Sequence, residues 1–201
     1  KICTHYHTTK QLVDKKNKMI IMKTLNEIYQ NYQSPDGHGD KGTAHTYIEE
    51  YERLLEPYRK NSIVLEIGLC EGESLRMWEE YFINSNVYGI DITDQYIKDL
   101  IAENKYNIII GDASSENILK HLNDLTFDVI IDDGSHLIND QINSFNILKN
   151  RMKPNGIYII EDVNNLDSTI DTYKKLHKKV EIIDNRHIKN RVDDVLVVYK
   201  F

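Results

Sequence analysis

The feature that most constrains the fold of this chain is an alternation between two hydrophobic periods. Short, largely apolar runs rich in β-branched residues recur at 63–67, 87–90, 107–110, 127–131 and 156–160. Between and after them lie segments with apolar residues at helical spacing, at 74–82, 95–103, 117–122, 140–152 and 166–177. Apolar runs that lack an alternating polar face are typical of parallel strands buried on both sides. The alternation therefore predicts an α/β fold with a doubly wound, mostly parallel sheet.

The end of the chain breaks this alternation. Two further apolar runs, at 180–183 and 195–199, are joined by a polar connection through Arg186, His187 and Arg191. We predict a closing hairpin without an intervening helix, one strand of which runs antiparallel to the rest of the sheet. The three basic residues would then lie near the carboxyl edge of the sheet, as candidate contacts for an acceptor.

The N-terminal part of the chain has a different organisation. Helical spacing is predicted over 11–32, a loop rich in Gly, Pro and Asp over 34–42, and a second helix over 44–58. We therefore divide the chain into an N-terminal helix and loop, residues 1–43, and a main domain, residues 44–201. The N-terminal part is either a lid over a site or a solvated lead-in. Its candidate lid residues are His38, Asp40 and Lys41, together with the neighbouring His45.

Charge and composition argue against several classes of partner. Asp and Glu outnumber Lys and Arg by 32 to 25, whereas a nucleic-acid surface needs clustered basic side chains. No run approaches the roughly 20 apolar residues of a membrane span, and no signal peptide opens the chain. Two cysteines, Cys3 and Cys70, make no disulfide framework. We expect a cytoplasmic protein with no nucleic-acid or membrane partner. Because the sequence begins at Lys1, we also expect that it is a candidate piece of a longer multidomain chain.

All five of the predicted parallel strands finish at or beside an acidic side chain. These acidic residues are Glu66, Asp91, Asp112, Asp132, Asp133, Glu161 and Asp162. In an open α/β sheet, ligands bind beyond the carboxyl ends of the strands, so these carboxylates would meet at one edge. Like charges that converge repel one another unless they bind ribose hydroxyls, a cation or a cationic ligand. Strand-end Asp also begins turns and caps helices, which is the alternative at any one position. The set as a whole predicts a binding site.

The turn after the first strand has the spacing E-x-G-x-x-x-G, over Glu66, Gly68 and Gly72. Glycines let the backbone approach a ligand, and the helix that begins near Ser74 offers free N–H groups. An acidic residue before the first glycine suits a ligand with a positively charged amino-acid end, such as S-adenosylmethionine. Asp91 lies 25 residues after Glu66, which is close to the spacing at which an acidic residue binds ribose hydroxyls in nucleotide-binding folds. Further cofactor-binding candidates are Ile92, Asp112, Ala113 and Asp132.

In these motifs the chain resembles the class I S-adenosylmethionine-dependent methyltransferases, from about residue 40 to its end. More narrowly, it is similar to the metal-dependent sugar O-methyltransferases of macrolide biosynthesis. The matching motifs are D-K-G at 40–42, V-L-E-I-G at 64–68, Y-G-I-D at 88–91, F-D-V-I-I-D-D-G-S-H at 127–136 and I-I-E-D at 159–162. The resemblance implies a seven-stranded, Rossmann-like methyltransferase sheet with a C-terminal antiparallel strand. The first glycine turn is shorter than in those enzymes and the N-terminal region is not shared, so substrate identity does not carry over.

The same resemblance implies roles for four residues. Asp133, Glu161 and Asp162 would hold a magnesium ion, and His136 would be the general base. Three carboxylates suit a hard cation with open positions, at which two vicinal hydroxyls of a sugar would bind. The cation would lower the pKa of a bound hydroxyl, and His136 would take its proton. Asp132 either contributes directly to the site or orients its neighbour Asp133.

We therefore expect Mg²⁺-assisted methyl transfer from S-adenosylmethionine to a sugar hydroxyl of a glycan or glycoside. One alternative is an O-methyltransferase for a catechol-like or other small vicinal diol. Another is a non-catalytic cofactor-binding module of a larger glycan-modifying polypeptide. The intact set of carboxylates and His136 argues against that module, since binding alone needs neither a base nor a metal. The sugar, the hydroxyl and the oligomeric state are left open by the sequence.

Overall fold

The apolar runs form one seven-stranded sheet in the computed structural model, which describes residues 22–33 and 39–201. The strands are β1 Ile63–Ile67, β2 Asn86–Asp91, β3 Asn107–Ile110, β4 Phe127–Asp132, β5 Met152–Ile160, β6 Val180–Asp184 and β7 Val195–Lys200. Their order across the sheet is β3-β2-β1-β4-β5-β7-β6. Strands β1 to β5 are parallel, and β7 is antiparallel to both β5 and β6. The predicted seven-stranded, mostly parallel sheet with a C-terminal antiparallel strand is confirmed.

Helices connect the strands. They are α1 Leu25–Tyr29, α2 Tyr47–Leu55, α3 Glu73–Tyr81, α4 Lys98–Ala102, α5 Leu119–Leu122, α6 Ile138–Leu148, α7 Leu166–Leu176 and α8 Arg186–Lys189. Short 3-10 helices lie at Glu56–Tyr58, Glu116–Ile118 and Lys149–Arg151. Within residues 22–33 and 39–201, no helix has the length and apolarity needed to cross a bilayer.

Helix α8 corrects one prediction, that of a helix-free connection between the last two strands. It makes a single turn, which Asp184 Oδ1 supports at its start by accepting a hydrogen bond from the Arg186 backbone N–H at 3.2 Å. Asn190 ends the turn in a left-handed conformation, with φ of 55°. A four-residue helix is too short to establish a hydrophobic period, so the sequence carried no signal of it.

The two faces of the sheet bury separate cores because successive side chains of a strand point in opposite directions. In β5, Ile157 and Ile159 pack into the core beneath α1 to α4, whereas Tyr158 and Ile160 pack into the core beneath α5 to α7. Strand β7 alternates in the same way, and so does β4 from Val129 to Ile131. Burial on both faces explains why these strands appear in the sequence as uninterrupted apolar runs.

Helix α1 is part of the first core. Thr24 and Glu27 form a capping box at its start, and Leu25, Ile28 and Tyr29 are buried. The longer helix predicted over 11–32 lies partly outside the described residues. Cys3 and His38 lie outside them altogether.

The topology places several strand ends side by side. Strand order reverses between β1 and β4, and Ile67 at the end of β1 is in register with Ile90 on one side and Asp132 on the other. Asp132 in turn is in register with Ile160 at the end of β5. The turns that follow β1, β2, β4 and β5 therefore meet at the switch point, which is where open α/β sheets bind ligands.

Candidate active site

Two cavities open at this switch point, one of about 390 Å³ and one of about 210 Å³. Gly68, Asp91 and Gly134 line both of them. The larger cavity is also lined by Tyr29, Tyr32, Gly39, Asp40, Lys41, Ser74, Asp133, His136 and Asp162. The smaller is also lined by Ile92, Asp112, Ala113, Asp132 and Gln141. Most of the residues predicted to form a site thus lie on the walls of two adjoining cavities.

The turn after β1 is held close to the turn after β4. Gly68 has φ of +83° and donates a backbone hydrogen bond to Ile90 O at 2.8 Å. A Cβ atom at this position would lie 2.0 Å from the backbone oxygen of Asp133. Only glycine fits here, because both the backbone conformation and the close approach exclude a side chain.

Asp91 is fixed by backbone donors at both of its oxygens. Leu69 N donates to Asp91 Oδ2 at 2.9 Å, and Thr93 N donates to Asp91 Oδ1 at 3.0 Å. A carboxylate oxygen accepts more than one hydrogen bond, so each oxygen keeps acceptor capacity toward the cavities. Asp91 is therefore held in one orientation and remains able to bind hydroxyl groups.

Two of the predicted cofactor-binding residues lie away from the walls of both cavities. Glu66 is fully buried behind the first turn and accepts a hydrogen bond from Trp78 Nε1 at 2.9 Å. Burial raises the pKa of Glu66 to about 7. Gly72 begins α3 with φ of +86° and packs against Leu100. The hydrogen bond between Glu66 and Trp78 therefore joins β1 to α3. Ser74, in the first turn of α3, lines the larger cavity.

The smaller cavity collects the other predicted cofactor residues. Asp132 is buried, accepts a hydrogen bond from Tyr158 Oη at 3.0 Å, and has its pKa raised to about 7 by burial. Asp112 Oδ1 accepts hydrogen bonds from the backbone and hydroxyl of Ser114, which fixes the turn after β3. Ile92 is 72% exposed and Ala113 is buried. The cavity therefore has apolar surface beside the carboxylates of Asp91, Asp112, Asp132 and Asp140.

Three residues at the ends of β4 and β5 form a compact group on the wall of the larger cavity. Asp133, His136 and Asp162 each place one ligand atom within 4.8 Å of the others. His136 Nε2 lies 3.1 Å from Asp133 Oδ1, and His136 Nδ1 lies 3.7 Å from Asp162 Oδ2. The hydrogen bond to Asp133 raises the pKa of His136. His136 and Asp162 both have positive φ, of 57° and 52°, a backbone strain that is common at functional sites.

Lys41 contacts this group from the N-terminal loop. Its Nζ donates to Asp133 Oδ2 and to Glu161 Oε1, at 2.6 Å in each case, and Lys41 is only 4% exposed. Burial alone would lower the pKa of Lys41, but the charges of Asp133 and Glu161 outweigh it and hold that pKa well above its usual value. The same contact, with His136, lowers the pKa of Asp133 against the effect of its own burial.

His45 and Tyr47, which follow Lys41 in the chain, contact Asp162. His45 is buried, with Nδ1 3.3 Å from Asp162 Oδ1 and 3.6 Å from Asp194 Oδ1, and its ring stacks on Tyr47. Tyr47 Oη donates to Asp162 Oδ1 at 2.8 Å. One oxygen of Asp162 is therefore engaged by residues 45–47, while the other faces His136.

The basic residues of the closing hairpin are occupied elsewhere. Arg186 pairs with Asp184 and Asp167, and Arg191 pairs with Asp193. Arg186, His187 and Arg191 line a separate cavity with Asp184, and none of the carboxylates predicted at the ends of the parallel strands lines it. They are not on the walls of the two cavities at the switch point.

The comparison with protein families agrees with this geometry. Residues 59–196 match the family model described as a methyltransferase domain. The chain belongs to this methyltransferase family. It is 37% identical over 137 residues to 8-demethyl-8-alpha-L-rhamnosyl tetracenomycin-C 2'-O-methyltransferase of Streptomyces olivaceus, a match that covers 63% of this chain and 35% of that protein. It is 34% identical over 149 residues to demethylmacrocin O-methyltransferase of Streptomyces fradiae, covering 69% of this chain and 36% of that protein.

A solved structure of similar fold is the MycE methyltransferase from the mycinamycin biosynthetic pathway, in complex with Mg, SAH and mycinamycin VI. It superposes on this methyltransferase with a TM-score of 0.68 and 26% identity, over 90% of this chain and 55% of that one. The chain thus spans about a third of the length of the two sequence relatives and about half of MycE.

The carboxylates of this methyltransferase could be predicted from its sequence, but the residues that contact and orient them could not. Asp133, Glu161 and Asp162 were predicted to hold an ion beside His136. The structure groups Asp133, His136 and Asp162, whereas Glu161 is buried, lines neither cavity and stands outside this group. Lys41 and His45 were predicted only as candidate lid residues. Their positions in and beside the D-K-G motif at 40–42 were the available signal, but no local spacing tells that the lysine reaches the end of a strand far along the chain.

Proposed function

We propose that this methyltransferase transfers a methyl group from S-adenosylmethionine to a sugar hydroxyl, with a bound Mg²⁺ ion assisting. The observation that carries the proposal is the grouping of Asp133, His136 and Asp162 on a cavity wall that Gly68 and Asp91 also line. One relative is named as a rhamnosyl tetracenomycin-C 2'-O-methyltransferase, and MycE was solved with Mg and SAH. Both support a glycoside acceptor and this cofactor pair.

The two cavities divide the cofactor between them in this proposal. The smaller would take the adenosine, with ribose hydroxyls on Asp91 and the base between Ile92 and Ala113, near Asp112 and Asp132. The larger would take the amino-acid end beside Ser74 and leave room for the acceptor next to His136. Asp91 suits the ribose because both of its oxygens are already oriented by backbone N–H groups.

The donor set fits a hard divalent cation. Asp133, Glu161 and Asp162 offer carboxylate oxygens, the ligands that Mg²⁺ prefers, and Asp133 and Asp162 face the same point. When bound, the ion would lower the pKa of a hydroxyl that coordinates it. The protein's own part is to hold the acceptor beside His136 and to align its oxygen with the sulfonium methyl group.

Within the N-terminal helix and loop assigned to residues 1–43, the described residues 22–33 and 39–43 would form one side of the acceptor site in front of the main domain, residues 44–201. Tyr29, Gly39, Asp40 and Lys41 support this assignment because they line the larger cavity together with His136. A lid is thus favoured over a solvated lead-in for the described part of this segment.

The proposed function is tested by incubating the chain with methyl-labelled S-adenosylmethionine and a panel of glycosides and catechols. We expect label in a glycoside when Mg²⁺ is present, at least about a hundredfold less in EDTA, and recovery when Mg²⁺ is restored, since metal ions supply several kcal/mol to such steps. Full activity in EDTA would remove the metal from the proposal. Label in the catechols alone would favour the small-diol alternative, and binding of cofactor without any transfer would favour a non-catalytic module.

His136→Ala should slow methyl transfer by about 10² to 10⁴-fold, the usual contribution of a general base. In the unmodified chain the rate should rise with pH as His136 loses its proton, and the rise should lie above the ordinary pKa of histidine because Asp133 stabilises the protonated ring. Rate against pH checks both expectations, and the rise should be absent in the variant. The matched control is His121→Ala, which removes an exposed histidine outside both switch-point cavities. An unchanged rate in His136→Ala would exclude the base role.

A further inference from the structure

We propose that Lys41 is a positioning residue that determines which carboxylate oxygens face the cation. The proposal rests on the proposed function and adds a residue to it. Lys41 Nζ binds Asp133 Oδ2 and the buried Glu161 Oε1, both at 2.6 Å, and leaves Asp133 Oδ1 to the site. The ammonium thus leaves Asp133 a single oxygen, Oδ1, on the side of the site.

The remaining oxygens show the consequence. Asp133 Oδ1 lies 3.1 Å from His136, and Asp162 Oδ2 lies 3.7 Å from the same ring. The second oxygen of Asp162 is engaged by Tyr47 at 2.8 Å. Asp133 and Asp162 therefore each present one oxygen on the side of His136, where the acceptor would bind. A cation held by single oxygens keeps positions free for two acceptor hydroxyls, whereas two-oxygen binding by each carboxylate would fill them.

The loop that carries Lys41 is built to hold it in place. Asp40 O accepts backbone hydrogen bonds from residues 43–45, and Lys41 O accepts one from Tyr47 N at 2.9 Å. From outside, Lys189 Nζ donates to the carbonyl oxygens of Gly42, Thr43 and His45. A buried ammonium in so fixed a loop has little freedom to leave its two carboxylates.

The test is calorimetric titration of the full chain with MgCl₂, with methyl transfer measured in parallel. Lys41→Met removes a positive charge beside the cation site and frees both bound oxygens, so Mg²⁺ should bind at least about tenfold more tightly. Methyl transfer should nevertheless fall at least about tenfold, because the freed oxygens occupy positions that the acceptor needs. A merely structural role would weaken metal binding and activity together.

Two further variants keep the experiment decisive. Lys41→Gln retains a donor while removing the charge, and should show the same tighter Mg²⁺ binding even if Lys41→Met does not fold. Lys189→Met is the matched control, because it removes a lysine that supports the same loop without contacting a carboxylate of the site. Its Mg²⁺ affinity should stay within about twofold of the unmodified chain, since its charge is exposed and screened.

The outcomes separate this proposal from the proposed function. Unchanged or weaker Mg²⁺ binding in the folded Lys41 variants would overturn the positioning role, as would a chain that binds no Mg²⁺ at all. If the unmodified chain binds Mg²⁺ but methylates no glycoside, the proposed function fails, while the affinity difference between Lys41→Met and Lys189→Met still decides the role of Lys41.

Discussion

Asp133→Asn should reduce methyl transfer by about a thousandfold or more, while the affinity for S-adenosylmethionine changes by less than about threefold. Asp133 is the one carboxylate that contacts both Lys41 and His136 within the described residues. Asn keeps the shape and removes the charge, so the cation loses a ligand and His136 loses the partner that orients it. Loss of several kcal/mol of stabilisation in the transition state corresponds to a rate effect of this order.

The measurement is single-turnover methyl transfer, together with cofactor titration by calorimetry. Asp171→Asn is the matched control because it makes the same chemical change at an exposed position on α7, and it should leave both quantities unchanged. Equal losses of transfer and of cofactor affinity in Asp133→Asn would assign Asp133 to the architecture of the site instead of its chemistry.

The sheet could be predicted from the sequence because burial on both faces leaves a local pattern. Residues 129–131 and 157–160 are apolar without interruption because alternate side chains enter two different cores. The edge at which the carboxylates meet follows from the same topology, since parallel strands end together. Asp133 and Asp162 could therefore be placed near one another before their distance was known.

The residues that hold those carboxylates could not be predicted in this way. Lys41 lies 92 residues from Asp133 and 120 from Glu161, and no periodicity connects positions so far apart. A lysine in a loop rich in glycine and aspartate reads as solvated, yet here two carboxylates offset the cost of burying it.

Glu66 shows the opposite outcome. Its local motif predicted a side chain on the wall of the site, but the structure buries this side chain behind that wall. Its position in β1 places it on the face of Val64, beneath α3, where the indole N–H of buried Trp78 needs an acceptor. An acidic residue at this E-x-G spacing can therefore serve the packing of α3 on the sheet as well as the binding of a ligand.

The turn that follows Glu66 depends on Gly68 for two separate reasons. Its φ of +83° costs an L-residue about 1–2 kcal/mol. A Cβ atom would also meet the backbone oxygen of Asp133 at 2.0 Å, and backbone cannot move aside as the end of a side chain can. Any larger residue must therefore push apart the turns after β1 and β4, which together separate the two cavities.

Gly68→Ala should weaken S-adenosylmethionine binding by about a hundredfold or more, because both cavities share this turn and the displacement alters each of them. Calorimetric titration with the cofactor measures the loss, and a thermal melt shows that the variant remains folded. The matched control is Gly111→Ala, where the added Cβ meets only the flexible end of Ile118 at 2.9 Å, so cofactor affinity should fall by less than about fivefold. Similar losses in the two variants would contradict the argument, since they would show that any added methyl group at this edge of the sheet disturbs cofactor binding, whether or not it meets backbone.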